Sequence, residues 1–459
     1  MKIAELPYQR NPAEIFTRIA SEPWSVFLDS GYPYTDTGRF DIIAARPYKT
    51  ITCIGAETLI REGEVLRRSD ADPFSLVKSA LGDRVQNYSG LPFCGGALGY
   101  FSYDLGRRIE ALPTAKPREL SLPDMAVGLY DWAVIYDHHV RRAWLAGQGR
   151  DPGTARQWDA LLELFYSKGQ SRIPRFDIKS ETRSCFSKEG YTDAFNKIKT
   201  YIRDGDCYQV NLTQQFTTEV GGDSWDIYLQ MRKANPAPFS AYFKLPEGAV
   251  LSSSPERFLS LNNGQVETKP IKGTIRRSIF AYEDKALAEQ LLESKKDRAE
   301  NLMIVDLLRN DLGKSCETGS VAVPKLFALE SYATIHHLVS TVTGRLARGR
   351  HALDLLRDCF PGGSITGAPK LRAMEIIDEL EPHRRSVYCG AIGYIGFDGN
   401  MDTNIAIRTL VYENDRIFCW AGGGIVADSR LEEEYQECFS KIASLLKMFE
   451  RKQQRDVGS

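Results

Sequence analysis

Several absences narrow the possibilities before any motif is read. The nine cysteines (Cys53, Cys94, Cys185, Cys207, Cys316, Cys359, Cys389, Cys419, Cys438) never fall within four residues of one another. Zinc-ribbon, thioredoxin-like and iron–sulfur spacings are therefore excluded. An odd, dispersed set suits reduced thiols in a cytosol. No run approaches the ~20 apolar residues that a membrane span requires. The opening residues, Met1-Lys2-Ile3-Ala4-Glu5-Leu6-Pro7, hold no apolar core of signal-peptide length, so a cytoplasmic location is expected. Basic residues are scattered and form no run interleaved with aromatics. With a net charge of −1 and a pI near 6.6, nothing calls for nucleic acid or a membrane surface. Internal repeats and low-complexity tracts are missing as well.

What remains is a soluble globular profile: 459 residues, 42% hydrophobic, enough for two or three average domains or one large α/β unit. In a first region, residues 1–180, the first ~150 residues alternate short strands with a few helices. Asp72-Pro73 marks a helix start, a cap followed by proline at the first helical position. Residues 94–103 read as a glycine-rich strand that another backbone or ligand approaches closely. A helix is expected over 154–168, with Trp158, Leu161, Leu162 and Phe165 on one face. Residues 169–186 are polar without a period and read as a link to a second region, 186–450. There, residues 191–202 have helical spacing and stop at Gly205, and residues 208–213 alternate as in a half-buried strand. Residues 297–308 read as a helix. Residues 387–397, 401–412 and 416–422 read as a three-stranded antiparallel meander, with Asp398-Gly399 and Asn414-Asp415 as tight turns. A last helix is expected over 431–449, and residues 451–459 as a frayed, charged tail.

Three features carry chemistry. The first is Lys272, placed where an apolar strand over 266–271 gives way to Gly273-Thr274. It can be an ordinary strand-end lysine or a nucleophile. The second role requires a pKa far below the usual ~10.4, lowered by burial or cationic neighbours. The second feature is a pair of helices with acids three residues apart, Asp297 with Glu300 and Glu434 with Glu437. Such spacing points two carboxylates at one spot, and an oxygen-only set suits Mg²⁺. Solvated acidic faces are the alternative, but Glu300 and Glu437 border apolar runs, where uncompensated charge is costly. The third feature is glycine-rich. Residues 361–370 (Pro-Gly-Gly-Ser-Ile-Thr-Gly-Ala-Pro-Lys, including Ser364) lead into a helix, and Ala421-Gly422-Gly423-Gly424-Ile425 ends a strand. Backbone N–H groups at such turns can receive an anion, though a purely conformational turn is equally open. The first run is neither a Walker loop nor a dinucleotide fingerprint. Arg408, read as pointing opposite to Ile405 and Ile407 on a strand, offers a bidentate grip on a carboxylate.

Taken together, these segments resemble the chorismate-utilising enzymes. The runs that carry the resemblance are Gly205 through Leu212 (Gly-Asp-Cys-Tyr-Gln-Val-Asn-Leu), Ser254-Pro255-Glu256-Arg257-Phe258, Pro270-Ile271-Lys272-Gly273-Thr274, Asp297-Arg298-Ala299-Glu300-Asn301-Leu302, residues 361–370 and residues 421–428. The resemblance covers nearly the whole chain. It implies an α/β (α+β) sandwich like that of anthranilate synthase component I, two large, mainly antiparallel sheets flanked by helices, with the site in the cleft between. It also implies Mg²⁺ bound directly by Glu300 and Glu437, with Asp297 and Glu434 in its outer shell through water. Arg408, Lys441 and the backbone of Gly422, Gly423 and Gly424 would hold the substrate carboxylates, and Tyr388 would contact the substrate.

Two positions separate the chemistries of this family. Anthranilate synthases usually carry alanine where Lys272 stands, and isochorismate and salicylate synthases carry a water-activating lysine where Gln209 stands. Lysine at the first and glutamine at the second is the pattern of the aminodeoxychorismate-forming branch. The implied activity is an amino transfer: chorismate plus ammonia gives 4-amino-4-deoxychorismate, for p-aminobenzoate and folate. Lys272 would form a covalent adduct at C2 and Glu256 would serve as general acid. His337 matches a histidine linked to pyruvate elimination in anthranilate synthase, a step this branch leaves to a separate lyase. The chain has no glutaminase signature, so a separate glutamine amidotransferase subunit is implied. Leu28, Ser30, Arg39 and Phe40 fall where relatives bind tryptophan. Anthranilate synthase component I and a non-catalytic amino-acid-binding scaffold remain the alternatives.

Overall fold

The computed structural model describes residues 1–35, 38–87, 89–112, 116–331 and 335–456, with side chains described up to 448. Two antiparallel sheets dominate it, one of 13 strands and one of 12. In the first, the strands Lys2–Leu6, Arg142–Gly147, Trp132–Asp137, Phe40–Ala44 and Val26–Asp29 form one half. Phe239–Lys244 pairs with Val26–Asp29 and begins the other half, which continues through Ala249–Ser254, Thr409–Glu413, Arg416–Ile425 and Gln209–Gly222. The second sheet is joined the same way, where Ala391–Gly396 pairs with Gly96–Phe101. Strands from before and after residue 180 thus share both sheets. At Gly96 and Gly99 an added Cβ would lie 2.3 and 2.0 Å from the carbonyl oxygens of Ile395 and Ala126. The close approach expected of that strand is therefore made by neighbouring backbone.

Alternation along the strands feeds two cores. Val26 and Ile42 belong to the core between the sheets, while their successors Phe27 and Ile43 pack with Phe16, Trp225 and Trp158 on the far side of the first sheet. Asp72 caps Pro73–Leu81 as expected, while the helix expected from residue 191 starts earlier, at Lys188, because Ser187 caps it through its side chain. The helix Pro152–Tyr166 buries Trp158, Leu161 and Phe165.

Four expectations change. The link over 169–186 contains the strands Phe176–Ile178 and Arg183–Ser184, both paired with Gln209–Gly222. The first part of that long strand, Gln209 to Phe216, is buried on both faces, Gln209, Asn211 and Thr213 included, while Tyr208 is 71% exposed. Its polar face therefore points into the protein. The C-terminal meander is two hairpins in opposite sheets: Ala391–Gly396 with Met401–Ile405 in one, Thr409–Glu413 with Arg416–Ile425 in the other. The chain crosses between sheets at residues 406–408, where Arg408 adopts φ +49°, so the alternation used to orient Arg408 does not apply. The last helix, Leu431–Asp456, runs on through most of the predicted tail; residues 457–459 lie outside the described residues.

Candidate active site

Lys272 lies inside the strand Ile271–Arg276, since Pro270 ends the preceding strand, Gln265–Thr268. Opposite the strand Ile335–Arg345, Ile271 pairs with Val339 and Thr274 with His337. Three steps along one strand therefore match two along the other, a bulge over Lys272-Gly273. Gly273 takes φ +86° there, and a Cβ on it would lie 3.0 Å from the Asp297 side chain. The bulge re-aims Lys272 and seats Gly273 against the helix Lys295–Gly313 that carries Asp297 and Glu300.

Burial lowers the Lys272 amine below the ordinary lysine value. Lys441 adds to the effect, and Glu300, Glu256 and Glu437 oppose it. Glu256, 5% exposed, moves the opposite way for the same reason: desolvation pushes its carboxyl up to about 7. The Ser364 hydroxyl and the Ile271 amide donate to it, and Lys272 and Lys441 pull it down, without cancelling burial. One burial thus raises an acid and lowers an amine that act on each other.

The helix Leu431–Asp456 packs on the strand Arg416–Ile425, with Phe439 against Phe216. Gly423 allows the approach, because a Cβ there would lie 3.0 Å from Glu434 Oε2 and 3.3 Å from Glu437 Oε1. Lys441 Nζ is 2.6 Å from Glu437 Oε1 and donates to the Gly422 carbonyl at 2.8 Å. Against the upward push of burial, that ammonium holds Glu437 below the usual carboxylate range. Glu434, 2% exposed, accepts from Ser429 Oγ at 2.7 Å and pairs with Lys296 at 3.3 Å. Glu300 is pushed up by burial and by the like charges of Glu434 and Asp297. The sites of the two helix-borne acid pairs thus meet, one from each sheet's side. Among the described residues, no three acidic, histidine or cysteine side chains converge as a ready-made metal cluster. The donor chemistry nevertheless fits a hard cation: carboxylate oxygens only, partly buried, with lysine ammonium groups among them.

The two glycine-rich runs meet through the strand that begins at Gln209. Asn211 Nδ2 donates to the Ser364 carbonyl at 3.3 Å and Gln209 Nε2 to Asn211 Oδ1 at 3.1 Å. A Cβ on Gly424 would collide with that Gln209 amide. Burial lowers the Arg408 guanidinium pKa, and no carboxylate among the described residues pairs with it. His337 accepts or donates at 2.8 Å with Thr274 Oγ1, and burial drives it down to about 4, helped by Arg408. It is a neutral imidazole. Tyr388 stacks on Trp420 at 6.1 Å, with Cys389, Arg385 and Glu381 as its charged or polar surroundings.

A family model described as chorismate binding enzyme matches residues 26–447. The chain belongs to the chorismate-binding enzymes. Similar members of this family include aminodeoxychorismate synthase component 1 of Klebsiella aerogenes, 50% identical over 97% of this chain and 98% of the relative. The protein of that name from Escherichia coli K12 is 49% identical over 98% of each. Anthranilate synthase component I of Streptococcus pneumoniae TIGR4 shares the fold with a TM-score of 0.80 at 33% identity, covering 89% of this chain and 92% of that one.

A cavity of this chorismate-binding enzyme, about 220 Å³, gathers Leu28, Ser30, Arg39 and Phe40 with Phe239 and Arg257. Ser30 is fixed by Asp41, which accepts from its amide at 2.8 Å and its hydroxyl at 2.7 Å. The sequence reading missed Lys296, although its place four residues before Glu300 puts both on one helix face. It also missed the buried pair Arg385–Glu381, four residues apart just beyond the end of the helix Lys370–Leu380.

Proposed function

We propose that this chain is the component that aminates chorismate, making 4-amino-4-deoxychorismate from chorismate and ammonia. The observation that carries this reading is the opposed pair Lys272 and Glu256, an amine lowered and a carboxyl raised by the same burial. The Lys272 lone pair forms a bond to C2. The ring double bonds shift to C6–C1 and C4–C5, and the C4 hydroxyl leaves as water with the proton of Glu256. Ammonia then adds at C4, the double bonds return, and Lys272 departs as the neutral amine, while the proton released by the new C4 ammonium returns to Glu256. Gln209 cannot activate water, because an amide is not a base, which suits a reaction whose nucleophiles are amines.

Arg408, Lys441, Ser364 and the backbone of Gly422, Gly423 and Gly424 would hold the two substrate carboxylates, with Tyr388 contacting the substrate. Glu300 and Glu437, with Asp297 and Glu434 behind them, would hold Mg²⁺. When bound, the metal would neutralise a substrate carboxylate. A glutamine amidotransferase subunit would supply ammonia, consistent with relatives named as a component 1. Residues 1–180 would supply Leu28, Ser30, Arg39 and Phe40 to a tryptophan cavity that later residues such as Phe239 and Tyr394 line as well, while residues 186–450 carry the chemistry and 451–459 form a tail. No described helix is long and apolar enough to cross a membrane and all nine cysteines are free, which supports a cytoplasmic assignment.

Incubation with chorismate and Mg²⁺, ammonia withheld, followed by peptide mass spectrometry, tests the reading. Lys272 should gain one chorismate less one water. Lys272→Ala should show no adduct and lose amination. Wild-type amination by that variant would refute the covalent route, and fluorescent anthranilate from the wild type would favour the other branch.

A further inference from the structure

Each acid-bearing helix also brings a lysine to the candidate metal site. Lys441 pairs within its own helix, Nζ to Glu437 Oε1 at 2.6 Å. Lys296 instead reaches across, its Nζ 3.3 Å from Glu434 Oε1 on the opposite helix. The carboxylates acting on it are Glu434, Glu300 and Glu437, three of the four acids proposed to serve the metal. The two partners differ in one decisive respect: the Lys296 side chain is 44% exposed and that of Glu434 only 2%. The lysine arm can swing into water at little cost, since its charge stays solvated and its stem is flexible. The Glu434 carboxylate cannot follow, and left bare it would be a buried, incompletely compensated charge. Exchange of one cation for another is the route that never leaves Glu434 without a counter-charge.

We propose that Lys296 is a resident counter-ion of this site, a positioning residue that holds Glu434 and Glu300 between catalytic cycles and yields when a divalent cation binds, thereby setting how tightly the metal is held. This rests on the metal reading above. It accounts for the carboxylates gathering around one point without converging, because an ammonium group stands among them. A point positive charge within a few ångströms opposes a divalent cation, so its removal should tighten metal binding about tenfold at low ionic strength.

The test is direct titration of the full chain with Mg²⁺ by calorimetry and with Mn²⁺ by electron paramagnetic resonance, in the absence of chorismate. Lys296→Met should bind either ion about tenfold more tightly than wild type. Its apo form should melt lower and recover more on adding Mg²⁺ than wild type does. Lys296→Arg, which keeps the charge, and Lys295→Met, which removes an exposed neighbour, should both stay within about twofold of wild-type affinity. Unchanged or weaker binding by Lys296→Met overturns the proposal while leaving the metal reading intact. A wild type that binds no Mg²⁺ or Mn²⁺, or that binds as well after Glu437→Ala, overturns the metal reading and the proposal with it.

Discussion

Lys272 and Glu256 show how one environment produces two opposite reagents. Desolvation disfavours whichever form is charged, so it lowers an ammonium and raises a carboxyl. Neighbouring lysines push Glu256 back without reversing the shift, leaving it at about 7. The pH dependence follows with a definite sign. Adduct formation should quicken as Lys272 loses its proton with rising pH. Titration of Glu256 above about 7 removes the proton donor and imposes an alkaline fall on whatever Lys272 gains. Glu256→Gln should lower the rate by ~10²–10⁴ and abolish the alkaline fall, because the amide has no proton to lose. Quenched-flow mass spectrometry of the adduct across pH measures both limbs, and persistence of the alkaline limb in Glu256→Gln would assign it to another group.

At the scale of elements, the bulge at Lys272-Gly273 aligns the site, and a matched pair of glycines isolates its role. Gly273 and Gly264 both have positive φ, +86° and +82°, yet an added Cβ meets Asp297 at 3.0 Å in the first case and nothing within 4 Å in the second. Alanine at either should cost ~1–2 kcal/mol of backbone strain, read as similar falls in denaturation midpoint. Only Gly273→Ala should also lose turnover, by roughly 10²-fold, since it displaces the acid-bearing helix from the amine. Equal activity losses would deny the bulge this aligning part. The bulge was invisible in the sequence, because it is a mismatch between two strands 60 residues apart. The paired acids were legible from helical spacing, and Lys272, Glu256 and Arg408 from their runs. The break at residues 406–408 was not, because Met401 through Tyr412 alternates well enough to pass as one strand. Nor was the inward polar face of Gln209, Asn211 and Thr213, since alternation alone cannot say which face meets water.

Across the whole molecule, both sheets are completed by strands from either end of the chain, so the site depends on contacts that span the sequence. Arg385 is the clearest of these. Wholly buried, it donates to Glu381 at 2.6 and 2.9 Å, to the Ile365 carbonyl at 2.9 Å and to the Asn211 carbonyl at 2.8 Å. Its guanidinium also lies 4.7 Å from the ring of Tyr103. Glu381 in turn accepts from the amide and hydroxyl of Thr213, both at 2.8 Å. One clasp therefore fixes the glycine turn below Ser364, the polar face of the strand beginning at Gln209, and the N-terminal segment at Tyr103. Arg385→Met should cost ~3–5 kcal/mol, because it strands a buried carboxylate, and should lower the denaturant midpoint accordingly. Adding Glu381→Gln should recover a large part, since the glutamine carbonyl can still accept from Thr213 and no charge is left unpaired. A double variant no more stable than Arg385→Met would mean that the packing of the guanidinium, and not its charge balance, holds the two ends of the chain around the site.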